Sequence, residues 1–260
     1  MYVWNPLIRD HISIPSSPLP SQFQSLRTSY VFGFGFHQCT NEYKVIRIVQ
    51  ILKFLPSSVE CQLSHVSVYT LGTTSWRTLE GVSYDINYHL RSPGALVNGA
   101  LHWLTHSSKV IVSFDIKDEA FREIVQPDGI SKNVTIGELG RLLCLFDCLV
   151  PGREFEIWVM KEYGVVNSWT KPCTIQPGSC LYLVRLYTRL TVIGVVNQEE
   201  LLLDIDWGSK LLLYNTKNKS FKSLERPALF HRYYDCYAYI GSLISPRLIH
   251  GIQSGMIRGT

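Results

Sequence analysis

His102 and His106 stand four residues apart, a spacing that on a strand places two imidazoles on one face, where they could share a metal ion. The run around them, Gly99-Ala100-Leu101-His102-Trp103-Leu104, is apolar and brings no carboxylate beside them, so His102 reads as a core histidine. Ser64-His65 could suggest an activated hydroxyl, but neighbours on a strand point to opposite faces, and the chain has no G-x-S-x-G elbow. Phe32-Gly33-Phe34-Gly35-Phe36 has the outline of a phosphate-cradling loop. It lacks the third glycine and a following helix, and its strand-forming flanks make it a strand whose glycines admit close backbone approach. The carboxylates from Asp115 to Glu119 and of Glu199-Glu200 fall in expected turns or strand starts, whereas a catalytic pair has to converge across a cleft. Cys39, Cys61, Cys144, Cys148, Cys173, Cys180 and Cys236 are an odd number without a CxxC pair and read as small buried hydrophobes or free thiols. No catalytic, cofactor-binding or metal residue is assigned, and the expectation is a protein that is not an enzyme and needs no cofactor.

The elements that hold these residues come from a unit that recurs five times. An aromatic ends a short strand, a polar turn follows, a second bulky or ring residue comes seven positions on, and an aliphatic residue lies three beyond. The copies are Trp4, His11, Ile14; Tyr69, Trp76, Leu79; Phe114, Phe121, Ile124; Tyr214, Phe221, Leu224; and, with an inserted turn, Trp158 and Trp169. Apolar residues alternating around a variable polar tip, such as Lys117-Asp118-Glu119 or Lys217-Asn218-Lys219, are the pattern of an antiparallel hairpin. The leading aromatics follow one another at 65, 45, 44 and 56 residues, a period of β-propeller blades rather than of a helical solenoid.

Three of the units are preceded by a near-continuous apolar run: Leu101 stands 13 residues before Phe114, Leu201 stands 13 before Tyr214, and Leu142 stands 16 before Trp158. Such a run suits an inner strand covered on both faces, so each unit is expected to be a blade of three or four strands. At 260 residues, 46% of them hydrophobic, the chain can bury one sizeable core. No run reaches the roughly 18 apolar residues of a membrane helix, and the start, Met1-Tyr2-Val3-Trp4-Asn5-Pro6, is neither a signal nor a transit peptide. A cytoplasmic or nuclear protein is the expectation. The 25 basic residues are dispersed and the net charge is +4, which gives no stripe for nucleic acid.

With Tyr2 to Pro6, these segments resemble a known family: Phe32 to Phe36 with Tyr43-Lys44-Val45-Ile46-Arg47-Ile48, Val68-Tyr69 through Ser75-Trp76-Arg77, Val97 to Leu104, Ile111 to Asp115, Ile157 to Val165 with Ser168-Trp169, and Tyr239 to Pro246. The family is the F-box-associated domain of plant F-box and kelch-repeat-type proteins. The resemblance implies an all-β, kelch-type β-propeller and the substrate-recognition half of a ubiquitin-ligase adaptor. Members begin with an F-box that docks on the Skp adaptor of a cullin ligase, then a Gly-rich strand leading into the Trp-Asn-Pro segment. The chain opens at that segment, so the expectation is a recognition half without its own F-box. Skp and cullin are then partners of full-length homologues only, and a free-standing binding module is the alternative; a propeller enzyme or glycan binder is the alternative of another class. The expected organisation is an N-terminally truncated domain over 1–246 and a tail over 247–260, with the closing blade incomplete and an edge open near residues 2–5 and 239–245.

Specificity is expected in the least repeat-like segments, Gln50 to Glu60, Tyr84 to Pro93, Tyr163 to Asn167, Ile175 to Leu190 and Pro227 to Tyr237. Within them His231, Arg232, Tyr233 and Tyr234, and Arg185, Tyr187 and Arg189, carry the Arg and Tyr side chains favoured as interface anchors and are the candidate protein-binding residues. The target is a protein of unknown identity; no nucleic acid and no membrane is expected.

Overall fold

The computed structural model describes residues 1–17, 19–54, 59–80, 84–87, 94–106, 109–131, 134–148, 154–175, 190–197, 199–205, 210–224 and 242–249. Described structure is almost wholly antiparallel β. A hairpin of β1 (Tyr2–Asn5) and β2 (Asp10–Ser13) precedes four sheets of four strands each. They are β3 (Thr28–His37) to β6 (Arg77–Leu79) through β4 (Glu42–Phe54) and β5 (Val59–Thr70); β7 (Ala95–Val97) to β10 (Ala120–Val125) through β8 (Ala100–Leu104) and β9 (Val110–Asp115); β11 (Val134–Leu139) to β14 (Trp169–Ile175) through β12 (Leu142–Cys148) and β13 (Phe155–Met160); and β15 (Leu190–Asn197) to β18 (Ser220–Leu224) through β16 (Glu200–Ile205) and β17 (Lys210–Asn215). In every sheet the spatial order is the chain order, the meander of a propeller blade.

The core is partitioned between neighbouring sheets. One cluster joins the hairpin to β3–β6 through Ile12, Ile14, Val45 and Tyr69; a second joins β3–β6 to β7–β10 through Ile46, Val66, Leu101 and Phe114. A third sets Leu104 and Ile111 against Leu143 and Leu145, and the fourth sets Phe146 and Val159 against Leu203 and Tyr214. Among the described residues no cluster joins β15–β18 to the hairpin. The expected aromatic unit sets the register. Phe114 lies opposite Phe121, Tyr214 opposite Phe221 and Trp4 opposite His11. The ring pairs Tyr69–Trp76, Phe114–Phe121 and Tyr214–Phe221 sit 5.4, 5.0 and 4.8 Å apart, within the range of favourable aromatic contacts.

One detail differs from the expectation. In the third four-stranded sheet Trp169 lies opposite Met160, not Trp158, so Met160 fills the place of the leading aromatic; the register also shifts by one residue between Ile157 and Val159. The near-continuous apolar runs form the second strand of their sheets, the inner strands expected: all of Ala100–Leu104 is buried, covered by neighbouring sheets on both faces. The glycines of β3 do admit close approach. A Cβ on Gly33 would stand 2.7 Å from Leu101 and Trp103, so the next sheet presses onto bare backbone there.

Candidate protein-interaction surface

Both odd-numbered turns of a sheet lie at one end, tied together by main chain. Leu71 donates to the Tyr43 carbonyl at 2.9 Å, Ile116 to Gly99 at 3.1 Å, and Thr216 to Glu199 at 2.8 Å. The turns after the leading aromatics therefore gather on one rim. Asp115 Oδ1 accepts from the N–H groups of Lys117 and Asp118, and Asn215 Oδ1 from those of Lys217 and Asn218. Asn5 Oδ1 accepts from Leu7 in the same way. An Asx residue directly after the aromatic thus shapes the turn. It is visible in the sequence, and the hairpin pattern alone did not single it out.

The rim is also where charge is buried. Lys44, nearly fully buried on β4, donates to Glu119 Oε1 at 2.7 Å and to the Ile116 carbonyl at 2.9 Å, and Arg77 of β6 pairs with the other Glu119 oxygen. Burial works to raise the Glu119 pKa, but hydrogen bonds and charge from Lys44 and Arg77 outweigh it and hold the carboxyl below its ordinary value. Glu119 therefore clamps two blades together, while Asp115 and Asp118 pair with Arg122 of their own blade instead of converging with it on a cleft.

His102 is fully buried, as a core histidine should be. Its Nδ1 lies 2.9 Å from the Ala95 carbonyl, which can only accept, so Nδ1 carries the proton and Nε2 accepts from the Tyr163 hydroxyl at 2.7 Å. Burial pushes its pKa down to about 4 despite the backbone hydrogen bonds. His106 faces Asp85 at 3.9 Å, and among the described residues no three His, Cys, Asp or Glu side chains gather as metal ligands. Ser64 donates to the Tyr84 carbonyl at 2.9 Å while His65 contacts Ser67, so the adjacent pair does not act together. Cys39, Cys61, Cys144 and Cys173 are free, and burial raises the Cys144 thiol to about 12. No described helix is long and apolar enough to cross a membrane.

Tyr163 anchors the one expected specificity segment, Tyr163 to Asn167, that is fully described. Ser168 Oγ donates to the Val165 carbonyl at 2.7 Å and accepts from Glu162 N–H at 3.1 Å, and Gly164 turns at φ 80°. Held at both ends, the loop presents Val165 and Val166 to solvent. Of Gln50 to Glu60, the described residues 50–54 and 59–60 are strand, in the distal part of the β4–β5 hairpin. Arg185, Tyr187, Arg189, His231, Arg232, Tyr233 and Tyr234 all lie outside the described residues. Other exposed large apolar side chains are Tyr2 and Trp4 on β1 and Tyr30, Phe32 and Phe34 on β3.

Residues 1–238 match the family described as the F-box associated beta propeller domain. The chain belongs to that family. This F-box associated domain is 34% identical over 67% of its length to F-box protein At3g07870, 28% over 98% to F-box protein CPR1, and 27% over 85% to F-box/kelch-repeat protein At3g23880, all of Arabidopsis thaliana. It spans 46%, 64% and 57% of those relatives' lengths. The propeller topology expected from the repeat is thus the family's own, and the open rim and faces of the domain are where its function has to be sought.

Proposed function

We propose that the chain is the target-recognition part of an F-box adaptor: a non-catalytic propeller that binds a protein, which an F-box in the intact adaptor presents, through Skp and a cullin, for ubiquitination. The observation that carries the reading is the family match over residues 1–238, together with relatives that are F-box proteins along most of the aligned chain. The preformed loop with Val165 and Val166 at its tip supports it, because it offers apolar contact at little ordering cost. The expected place of action is the cytoplasm or nucleus.

Two fusions test the proposal in plant cells. Residues 1–260 alone, joined to a proximity-labelling enzyme, identify the bound proteins; the same residues behind an F-box should co-precipitate the Skp adaptor and shorten the half-life of those proteins. Without the fused F-box their half-life should be unchanged or longer. Partners whose turnover ignores the F-box would make the domain a free-standing binding module, and the absence of any partner would sink the proposal.

A further inference from the structure

Three departures from the repeat concern the turn between β13 and β14. The first is its length: it holds residues 161–168, where the matching turns of two other sheets hold 116–119 and 216–219. The second is Met160, which stands opposite Trp169 where those sheets set Phe114 opposite Phe121 and Tyr214 opposite Phe221. The third is His102, in the neighbouring sheet. On each second strand one residue faces the position just before the leading one: Ile46 faces Val68, Cys144 faces Val159, Leu202 faces Leu213, and His102 faces Ser113. An imidazole buried where the repeat sets Ile, Cys and Leu destabilises the core unless hydrogen-bond partners are built for it.

All three departures meet. The Tyr163 hydroxyl donates to His102 Nε2 at 2.7 Å across the boundary between the second and third four-stranded sheets, and the two rings stand edge to face with centroids 5.5 Å apart. The Ala95 carbonyl, 2.9 Å away, keeps the proton on Nδ1, and with a pKa of about 4 the ring is neutral at cellular pH, so Nε2 is an acceptor. At the base of the turn Met160 Sδ accepts from the Gly164 N–H at 3.2 Å, with an acceptor atom that a Phe at that place lacks. Bonds inside the turn are local, such as Val165 N–H to the Glu162 carbonyl and Ser168 N–H to the Val165 carbonyl, both at 3.0 Å. Local bonds close a turn, but the bond to His102 fixes its direction against the neighbouring blade. Rules that a repeat keeps elsewhere are broken together here, which is the expected mark of a functional element.

We propose that His102, Met160 and Tyr163 are positioning residues of a recognition loop: a latch across two blades that sets the direction in which Val165 and Val166 meet a protein partner. The inference rests on the protein-interaction reading and adds which part of the rim touches the partner and what holds it there. A tip already ordered spares binding the cost of ordering it, so His102 acts on affinity from inside the core.

A double-mutant cycle over His102→Leu and Tyr163→Phe is the test. The repeat itself has Leu202 at the place of His102, so His102→Leu should fold. Each change should speed amide exchange of Gly164, Val165 and Ser168 about fivefold, as for loss of one net hydrogen bond, and the double variant no further than either alone. The amides of Val112 and Leu145 should keep their protection. His102→Gln, whose amide can donate to Ala95 and accept from Tyr163, should keep the loop slow, and Met160→Leu should speed exchange at Gly164. In nitrogen NMR the His102 Nε2 signal should be that of an unprotonated acceptor and should move in Tyr163→Phe while Nδ1 stays. Capture of the proximity-labelled partners should fall about fivefold in both single variants and return in His102→Gln. Additive effects, unaltered loop exchange, no rescue by His102→Gln, or full capture by the single variants would overturn the inference. The exchange and nitrogen measurements use neither partner nor ligase component, so their failure is separate from that of the F-box fusions.

Discussion

Single side chains in this domain show how conspicuous chemistry is absorbed by packing. His102 has the residue type of a catalyst or ligand, yet a carbonyl on one nitrogen and a tyrosine hydroxyl on the other leave it no free valence. Its pKa falls from 6.5 to about 4. The unfolded chain binds the proton first, so stability is full above pH 6.5 and is lost progressively as pH falls toward 4, by about 3 kcal/mol at the limit. Urea melts of the wild type and His102→Gln at pH 7 and pH 4.5 check this: the wild type should lose more stability on acidification, and equal losses would refute it. Glu119 is the opposite case, a carboxylate whose value lies in remaining charged. Glu119→Gln leaves the buried Lys44 with a weakened partner set, and a loss of about 2 kcal/mol in denaturant unfolding is expected. A loss below a few tenths would mean that Glu42, 3.3 Å from Lys44, takes over the pairing.

At the scale of strands and turns, the repeat was legible because a buried ring, a polar tip and a second ring recur at fixed spacing, and the structure keeps that spacing in the pairings of Phe114 and Tyr214. It failed at Trp158, where the longer interval to Trp169 hid that Met160, not the tryptophan, takes the place of the leading ring. The loop over Tyr163 to Asn167 was legible as a break in the repeat, but which residues reach solvent depends on the hydrogen bonds of Ser168 and Tyr163. Val165→Asp with Val166→Asp should cut capture of the labelled partners at least fivefold at an unchanged melting temperature, since exposed loop substitutions away from the core are nearly neutral for folding. Unchanged capture would remove this loop from the binding surface.

For the whole molecule, the four core clusters make stability a sum over neighbouring sheets, as in other repeat folds. A sheet pressed by clusters on both faces should open only near global unfolding, whereas one held on a single side opens at lower free energy. Ile46, Leu101, Ile111 and Leu145 lie in sheets of the first kind. The β1–β2 hairpin is of the second kind: its apolar side meets β3–β6 through Ile12 and Ile14, and Tyr2 and Trp4 on its other side are exposed. Residues 242–249 brace its turn, with Asn5 Nδ2 donating to the Ser242 and Ile244 carbonyls and Arg247 pairing with Asp10 at 2.7 Å, but exposed ion pairs contribute little. Native-state hydrogen exchange should therefore find Val3 and Ile12 opening several kcal/mol more easily than Ile111 and Leu145. Equal protection would show that the bracing segment over 242–249 holds the hairpin as firmly as a second sheet would.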